Sequence, residues 1–284
     1  MENIDELLWG VLEGTDVPSV AAAAVIDGKL HAAGAVGIRK RGDDTPVTVN
    51  DRYHIGSCTK AMTATLAGIL VERGVITWET RLKDVFPDMA IHPGYEPVTV
   101  RQLLSHTAGF PAFTNPDDED EELVRLLEIN TGEPMAERSE SLLPEVLRRA
   151  PRSPLGQFAY SNMGYIVAGA VLEQLTKTPF ETLLQREIFS ALGMTSAGFG
   201  AAGTPGQLDE PCGHSPEPIE PGPEADNPPL LSPAGTVHMY ITDFARHAAF
   251  HLTGEPRLVS QATLALLHTP VKDSYALGWG GFRA

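Results

Sequence analysis

Ser57 and Lys60 stand three residues apart at the start of a long helical run, "YHIGSCTKAMTATLAGILVERG" over residues 53–74. The run Ala61–Val71 is rich in Ala, Leu, Met and Thr and closes on Glu-Arg-Gly, so it reads as a mostly buried helix with polar residues at its ends. A lysine on the first turn of a buried helix is costly unless it has a partner or a task. Positions i and i+3 share a helix face, so the Lys60 amine reaches the Ser57 hydroxyl. The chemistry open to such a pair is proton exchange. A serine hydroxyl attacks poorly at neutral pH without a nearby proton acceptor, and a desolvated lysine with a lowered pKa is one. Ser57-x-x-Lys60 is the only pattern of its kind in the chain, yet spacing alone is weak evidence. Taken alone, it is better explained by a serine cap beside a lysine that snorkels to the surface.

A second pattern narrows the reading. Tyr160-Ser161-Asn162 is the only Tyr-x-Asn in the sequence and stands just before another helical run, where Ser161 or Asn162 also serves as a cap. Two such patterns in this order, each at the mouth of a helix, are far more specific than either alone. "LLSHTAGFP" (103–111), "FAYSNMGYIVAGAVLEQLTKTPF", "IFSALGMTSAGFG", "LSPAGTVHMYITDFARHAAF" and "YALGWG" complete the series. Together they resemble the serine β-lactamase and penicillin-binding protein superfamily, in its class C β-lactamase, D-alanyl-D-alanine carboxypeptidase and esterase branch, from about residue 15 to the end.

The resemblance implies an α+β fold, an antiparallel sheet flanked by helices plus a mainly helical lobe. It also implies acyl transfer through a covalent acyl-enzyme, with no metal and no organic cofactor. Ser57 is then the nucleophile, and Lys60 and Tyr160 are the two candidates for the base, with Tyr160 also shuttling a proton to the leaving group. Asn162 orients Lys60 and the substrate amide, and the Ser57 backbone N–H at a helix start serves a developing oxyanion. The expected partner is a small-molecule or peptide-like substrate: an ester, a β-lactam or a D-amino-acid amide. The alternative is a non-catalytic or slowly acylating binding or sensor protein of the same fold.

The family's third signature, Lys- or His-x-Gly on a sheet strand, is expected after "YALGWG", and the sequence stops at Ala284. "CGHSPE" (212–217) falls in the family's variable loop region and is not that triad. The expectation is therefore one domain over 1–284, C-terminally incomplete, with 1–56 and 270–284 as the sheet part and 57–269 largely helical. The sequence is then a truncated piece of a longer domain, a natural fragment whose missing strands a partner chain supplies, or a degenerate member of the family. Losing the oxyanion donor those strands carry costs about 3 kcal/mol of transition-state stabilisation.

Composition sets the outer bounds. A length of 284 residues gives room for one large domain or two lobes, and 42% hydrophobic with 20% charged residues describes a globular chain. A formal charge of −16 argues against nucleic acid and anionic membranes as partners. Part of it comes from "PDDEDEE" (116–122), read as a solvated insertion. No apolar run is long enough to span a bilayer, and no secretory signal is visible at "MENIDELLWGVLEG". The location is cytoplasmic as written, or exported if a leader was omitted. Two cysteines, Cys58 and Cys212, make no disulfide framework; a single bridge and two free thiols stay open, with Cys58 read as a packed small residue.

Four further expectations concern elements. Asp27-Gly28 between two apolar runs signals a hairpin. Ile4, Leu7, Leu8, Val11 and Leu12 form an apolar helical face. His247 and His251, at i and i+4 without a Glu after the first, read as a solvated helix face rather than a zinc site. "SYALGWGGFRA" reads as a closing strand. Ser105 and His106 are neighbours and do not pair with each other; His106 shapes the loop near the site. No Gly-x-Ser-x-Gly elbow is present, which counts against an α/β-hydrolase.

Overall fold

The computed structural model describes residues 1–114, 123–125, 131–222 and 225–280. The acidic run at 116–122 lies outside them. The chain divides into two compact units. One comprises Met1–Gly56, Ile188–Asn227 and Thr236–Glu255, and the other Ser57–Glu187, Pro228–Gly235 and Pro256–Ala284. The expected division, 1–56 and 270–284 as the sheet part and 57–269 largely helical, differs from these units: 188–227 and 236–255 cluster with 1–56, and 270–284 falls with the helical unit.

In chain order the strands are β1 (Glu2–Asn3), β2 (Ser19–Ile26), β3 (Lys29–Gly37), β4 (Arg52–His54), β5 (Gly198–Phe199), β6 (Gly213–Ser215), β7 (Glu217–Ile219) and β8 (Val237–Tyr240). The helices that matter below are α1 (Asp5–Leu12), α2 (Thr59–Glu72), α3 (Val100–Leu104), α4 (Asn162–Thr176), α5 (Ser232–Gly235), α6 (Ile241–Thr253) and α7 (Gln261–His268).

Among the described residues all eight strands belong to the first unit, in sheets of order β1-β3-β2, β4-β8-β5 and β6-β7. The expected hairpin is there: β2 pairs antiparallel with β3 from Ser19↔Gly37 to Ile26↔Lys29. Its turn residues have φ of 50° at Asp27 and 71° at Gly28, the left-handed values that a two-residue turn matched to strand twist demands. Helices α1 and α6 pack on this sheet. The apolar face read into the N-terminal helix is only partly used, because Leu8 is buried while Leu7 and Val11 are exposed. What docks α1 is polar: the Asp5 carboxylate accepts the Ala35 N–H at 3.0 Å, and hydrophobic spacing carries no sign of that bond.

The second unit is helical and is built around α2, in which every residue from Thr59 to Leu70 is buried. That explains the lack of a polar stripe on this helix, which is enclosed on all sides. Helix α3 begins where the sequence placed it, at Thr99. The Thr99 hydroxyl accepts from Gln102 N, and the Gln102 side chain accepts from Thr99 N, a reciprocal cap. Helix α4 is capped by the Ser161 hydroxyl, which accepts from Gly164 N at 2.9 Å. Helix α5 packs on both α2 and α4. Gly169 of α4 lies directly under Pro233, where a Cβ would collide with the proline ring.

Arg138, on a π-helical turn (Glu137–Leu142), is fully buried. Its guanidinium donates to Glu173 at 2.9 and 2.5 Å, to Glu181 at 3.2 Å, and to the carbonyls of Pro229 and Leu230 at 3.3 Å each. One side chain thus ties the π turn, the end of α4 and the lead into α5.

Among the described residues of the expected closing strand, 274–280, no strand element forms, and 281–284 lie outside the described residues. Over 272–280 there are isolated bridges at Lys272↔Tyr275 and Tyr275↔Gly280, with Asp273, Ser274 and Gly278 at positive φ. Gly278, at φ 80°, rests on the first turn of α2, where a Cβ would lie 2.7 Å from the Lys60 carbonyl oxygen and 2.8 Å from Ala61 Cα. A strand cannot bend that closely onto a helix; a glycine turn does.

Candidate active site

The four residues singled out by spacing meet at one point of the helical unit. A 3₁₀ turn, Gly56–Cys58, leads into α2 and leaves Ser57 exposed at its mouth. One helical turn on, Lys60 is 1% exposed and its Nζ donates to Ser57 Oγ at 3.0 Å, as the i, i+3 geometry predicts. Tyr160 comes from the extended residues just ahead of α4, and its hydroxyl lies 2.8 Å from Ser57 Oγ. Asn162, the first residue of α4, accepts from Lys60 Nζ through Oδ1 at 2.7 Å and donates through Nδ2 to the Phe113 carbonyl at 2.8 Å. The backbone bond from Asn162 N to Ala112 O, 2.8 Å, sets α4 against the 110–113 loop.

A third acceptor for Lys60 escaped the sequence reading. The Ala234 carbonyl of α5 accepts from Nζ at 2.7 Å, while the neighbouring Pro233 carbonyl takes the Thr63 hydroxyl at 2.7 Å. A main-chain oxygen has no residue-type signature, so no motif marks it. Three acceptors match the three protons of an ammonium group. The aromatic faces of Tyr160 and Tyr165, 5.0 and 5.4 Å from Nζ, add to its surroundings.

Burial opposes those contacts and prevails. It pushes the Lys60 amine down to about 7, so a substantial neutral fraction exists near neutral pH. The Tyr160 phenol moves the other way: burial raises its pKa above the ordinary tyrosine value, outweighing the lowering effect of its bond to Ser57.

Aromatic side chains close the back of the site. Tyr165 is fully buried and donates to the Leu104 carbonyl at 2.6 Å. Tyr275 stands beside it, its ring 4.7 Å from that of His106, a place that its reading as a strand residue did not convey. Ser105 does not pair with His106; its hydroxyl bonds to Thr107 Oγ1 at 2.9 Å.

Two other expectations need correction. His247 and His251 are not on a solvated face: they are 1% and 8% exposed, with their Nε2 atoms 3.2 Å apart. Spacing at i, i+4 showed that they share a face but not which face α6 turns inward. Cys58 is exposed rather than packed, because it sits in the 3₁₀ turn ahead of the enclosed part of α2; both cysteines are free. Among the described residues no group of three or more His, Cys, Asp or Glu side chains is arranged to hold a metal ion, and no helix is long and apolar enough to cross a membrane.

Comparison with known proteins shows the family and the fold. The beta-lactamase family model matches residues 4–280, and the chain belongs to that family. Penicillin-binding protein 4 of Amycolatopsis lactamdurans is 30% identical over 287 residues, covering 93% of this chain and 70% of that protein. Among solved structures, the octameric penicillin-binding protein homologue from Pyrococcus abyssi superposes with a TM-score of 0.76 at 21% identity. That match covers 96% of this chain and 63% of the other, so the chain spans under two thirds of that relative's length. A D-stereospecific amidohydrolase from Streptomyces sp. gives a TM-score of 0.69 at 22% identity, covering 96% of this chain and 80% of that one. The shared fold is the α+β arrangement of β-lactamases and transpeptidases.

Proposed function

We propose that this chain is a serine hydrolase that works through a covalent acyl-enzyme on an ester, a β-lactam or a D-amino-acid amide. The observation that carries the reading is the position of Ser57 Oγ, within hydrogen-bond reach of both the Lys60 amine and the Tyr160 phenol. The opposite displacements of the two pKa values divide the labour. Lys60, neutral in part near pH 7, takes the Ser57 proton as the hydroxyl attacks the substrate carbonyl. Tyr160 stays protonated and passes a proton between Lys60 and the leaving group. Asn162 holds Lys60 in line and offers its amide to the substrate. Water then attacks the acyl-serine and releases the product. The substrate classes follow from the family and from the penicillin-binding and D-stereospecific names of its relatives.

A fluorophosphonate or a labelled penicillin tests this directly. The expected result is a single adduct by intact mass, mapped to the peptide that contains Ser57. Release of the acyl group with repeated turnover makes the chain a hydrolase. A lasting adduct without turnover makes it the acylating sensor instead, and no adduct at Ser57 ends the acyl-enzyme reading.

The pH profile gives a second expectation. Because the base form of Lys60 is the neutral one, the acylation rate should rise with pH through about 7 and level off above it. Below that point it should fall tenfold per pH unit as the ammonium form takes over. Stopped-flow acylation from pH 5 to pH 9 reads this limb, and a flat profile contradicts Lys60 as base.

A further inference from the structure

His106 is a buried titratable group for which the mechanism above has no use. It is 2% exposed, and its φ of 57° is the left-handed turn that ends α3, where Thr107 N donates to Gln102 O at 3.0 Å and His106 N to Leu103 O at 3.4 Å. That turn presents His106 to the segment bearing Tyr160, which it grips at three consecutive residues. The His106 carbonyl accepts the Ala159 N–H at 2.8 Å. Its ring lies against the Tyr160 ring, centroids 4.4 Å apart. Its Nδ1 accepts the Ser161 N–H at 3.1 Å. Behind the imidazole stand Tyr275 at 4.7 Å and Tyr165 at 5.1 Å, so the ring has no room to turn away.

These contacts fix its protonation state. Nδ1 accepts a hydrogen bond, so the proton of the neutral ring is on Nε2, which is buried without a hydrogen-bond partner. Burial, with the charge of Lys60 beside it, pushes the imidazole down to about 3. A charged ring would have to give up the Ser161 bond. His106 is thus a permanently neutral acceptor, of no use as an acid or base in the working range.

We infer that His106 is a positioning residue for acyl transfer: by clamping Ala159, Tyr160 and Ser161 it aims the Tyr160 hydroxyl at Ser57 Oγ. The inference rests on the acyl-enzyme reading and adds to it a residue that acts only through Tyr160. Misplacing a reacting group by about 1 Å costs about 10²-fold in rate, which sets the size of the effect.

A double-mutant cycle on the acylation rate with a fluorophosphonate tests it, using wild type, His106→Ala, Tyr160→Phe and the double variant. His106→Ala should slow acylation by about 10²-fold where Tyr160 is present. In the Tyr160→Phe background, where no hydroxyl is left to aim, it should change the rate by no more than about 2-fold. Equal losses in both backgrounds overturn the positioning role. Should His106→Ala melt below the assay temperature, His106→Asn keeps an acceptor for Ser161 N–H without the ring and goes through the same cycle. The two readings fail separately. Labelling that persists in Ser57→Ala overturns the acyl-enzyme reading and this role with it, while Ser57-dependent labelling with additive losses overturns the role of His106 alone.

Discussion

Lys60→Met should lower the acylation rate by about 10²–10⁴-fold at neutral pH while leaving the protein folded. Methionine fills nearly the same space, so the packing of α2 changes little. What disappears is the only amine in reach of Ser57 Oγ among the described residues, and with it the acceptor of the serine proton. The change also strands the Asn162 Oδ1 and Ala234 carbonyl acceptors, a structural cost of about 1–3 kcal/mol that a melting curve will show. Lys60→Arg separates the two roles of the side chain. Arginine brings back charge and donors but does not deprotonate in the working range. It should therefore be about as inactive as methionine. An arginine variant within about 10-fold of wild type would mean that Lys60 acts as a fixed cation rather than a base, against the ordinary 10²–10⁴-fold worth of a positioned base.

The largest loss of stability is expected at Arg138→Met. The guanidinium is fully buried and saturated by two carboxylates and two carbonyls, and the Glu173 side chain it neutralises is only 2% exposed. Removing one partner of a buried ion pair leaves the other uncompensated, at a cost of about 3–5 kcal/mol. For a chain of this size that is a drop on the order of 10 °C in melting temperature. Arg138→Met combined with Glu173→Gln should recover part of it, because the amide carries no charge to strand and still accepts from Phe180 N, now at 2.9 Å from a Glu173 oxygen. Calorimetry of the two variants decides the matter. If the double variant melts no higher than the single one, the ion pair is not what holds this region.

The parts of the molecule legible in the sequence are those fixed by local physics. Asp27-Gly28 specifies its turn because only left-handed residues fit it. Thr99 and Ser161 announce helix starts through side chains that satisfy bare N–H groups. The Ser57–Lys60 contact follows from helix geometry alone. The approach of Tyr160 and Asn162 does not: more than a hundred residues separate them from Ser57, and only the family resemblance joined the two motifs. Besides the Ala234 carbonyl, three features escaped altogether. Helix α1 is docked by a carboxylate rather than by its apolar face, and α6 turns His247 and His251 inward. The residues around Gly278 bend where a strand was expected. Each depends on which distant surface a segment meets, and hydrophobic spacing carries no record of that.

The Ala234 carbonyl has an evolutionary consequence. Mutation can delete an amide or a hydroxyl, but no substitution removes a peptide oxygen. One of the three tethers on the Lys60 ammonium is therefore inherited with the shape of the chain and leaves the identity of residue 234 unconstrained by this bond. Selection for that tether falls instead on the fit between Pro233 and Gly169, where a single added methyl would lift the whole turn away from the amine.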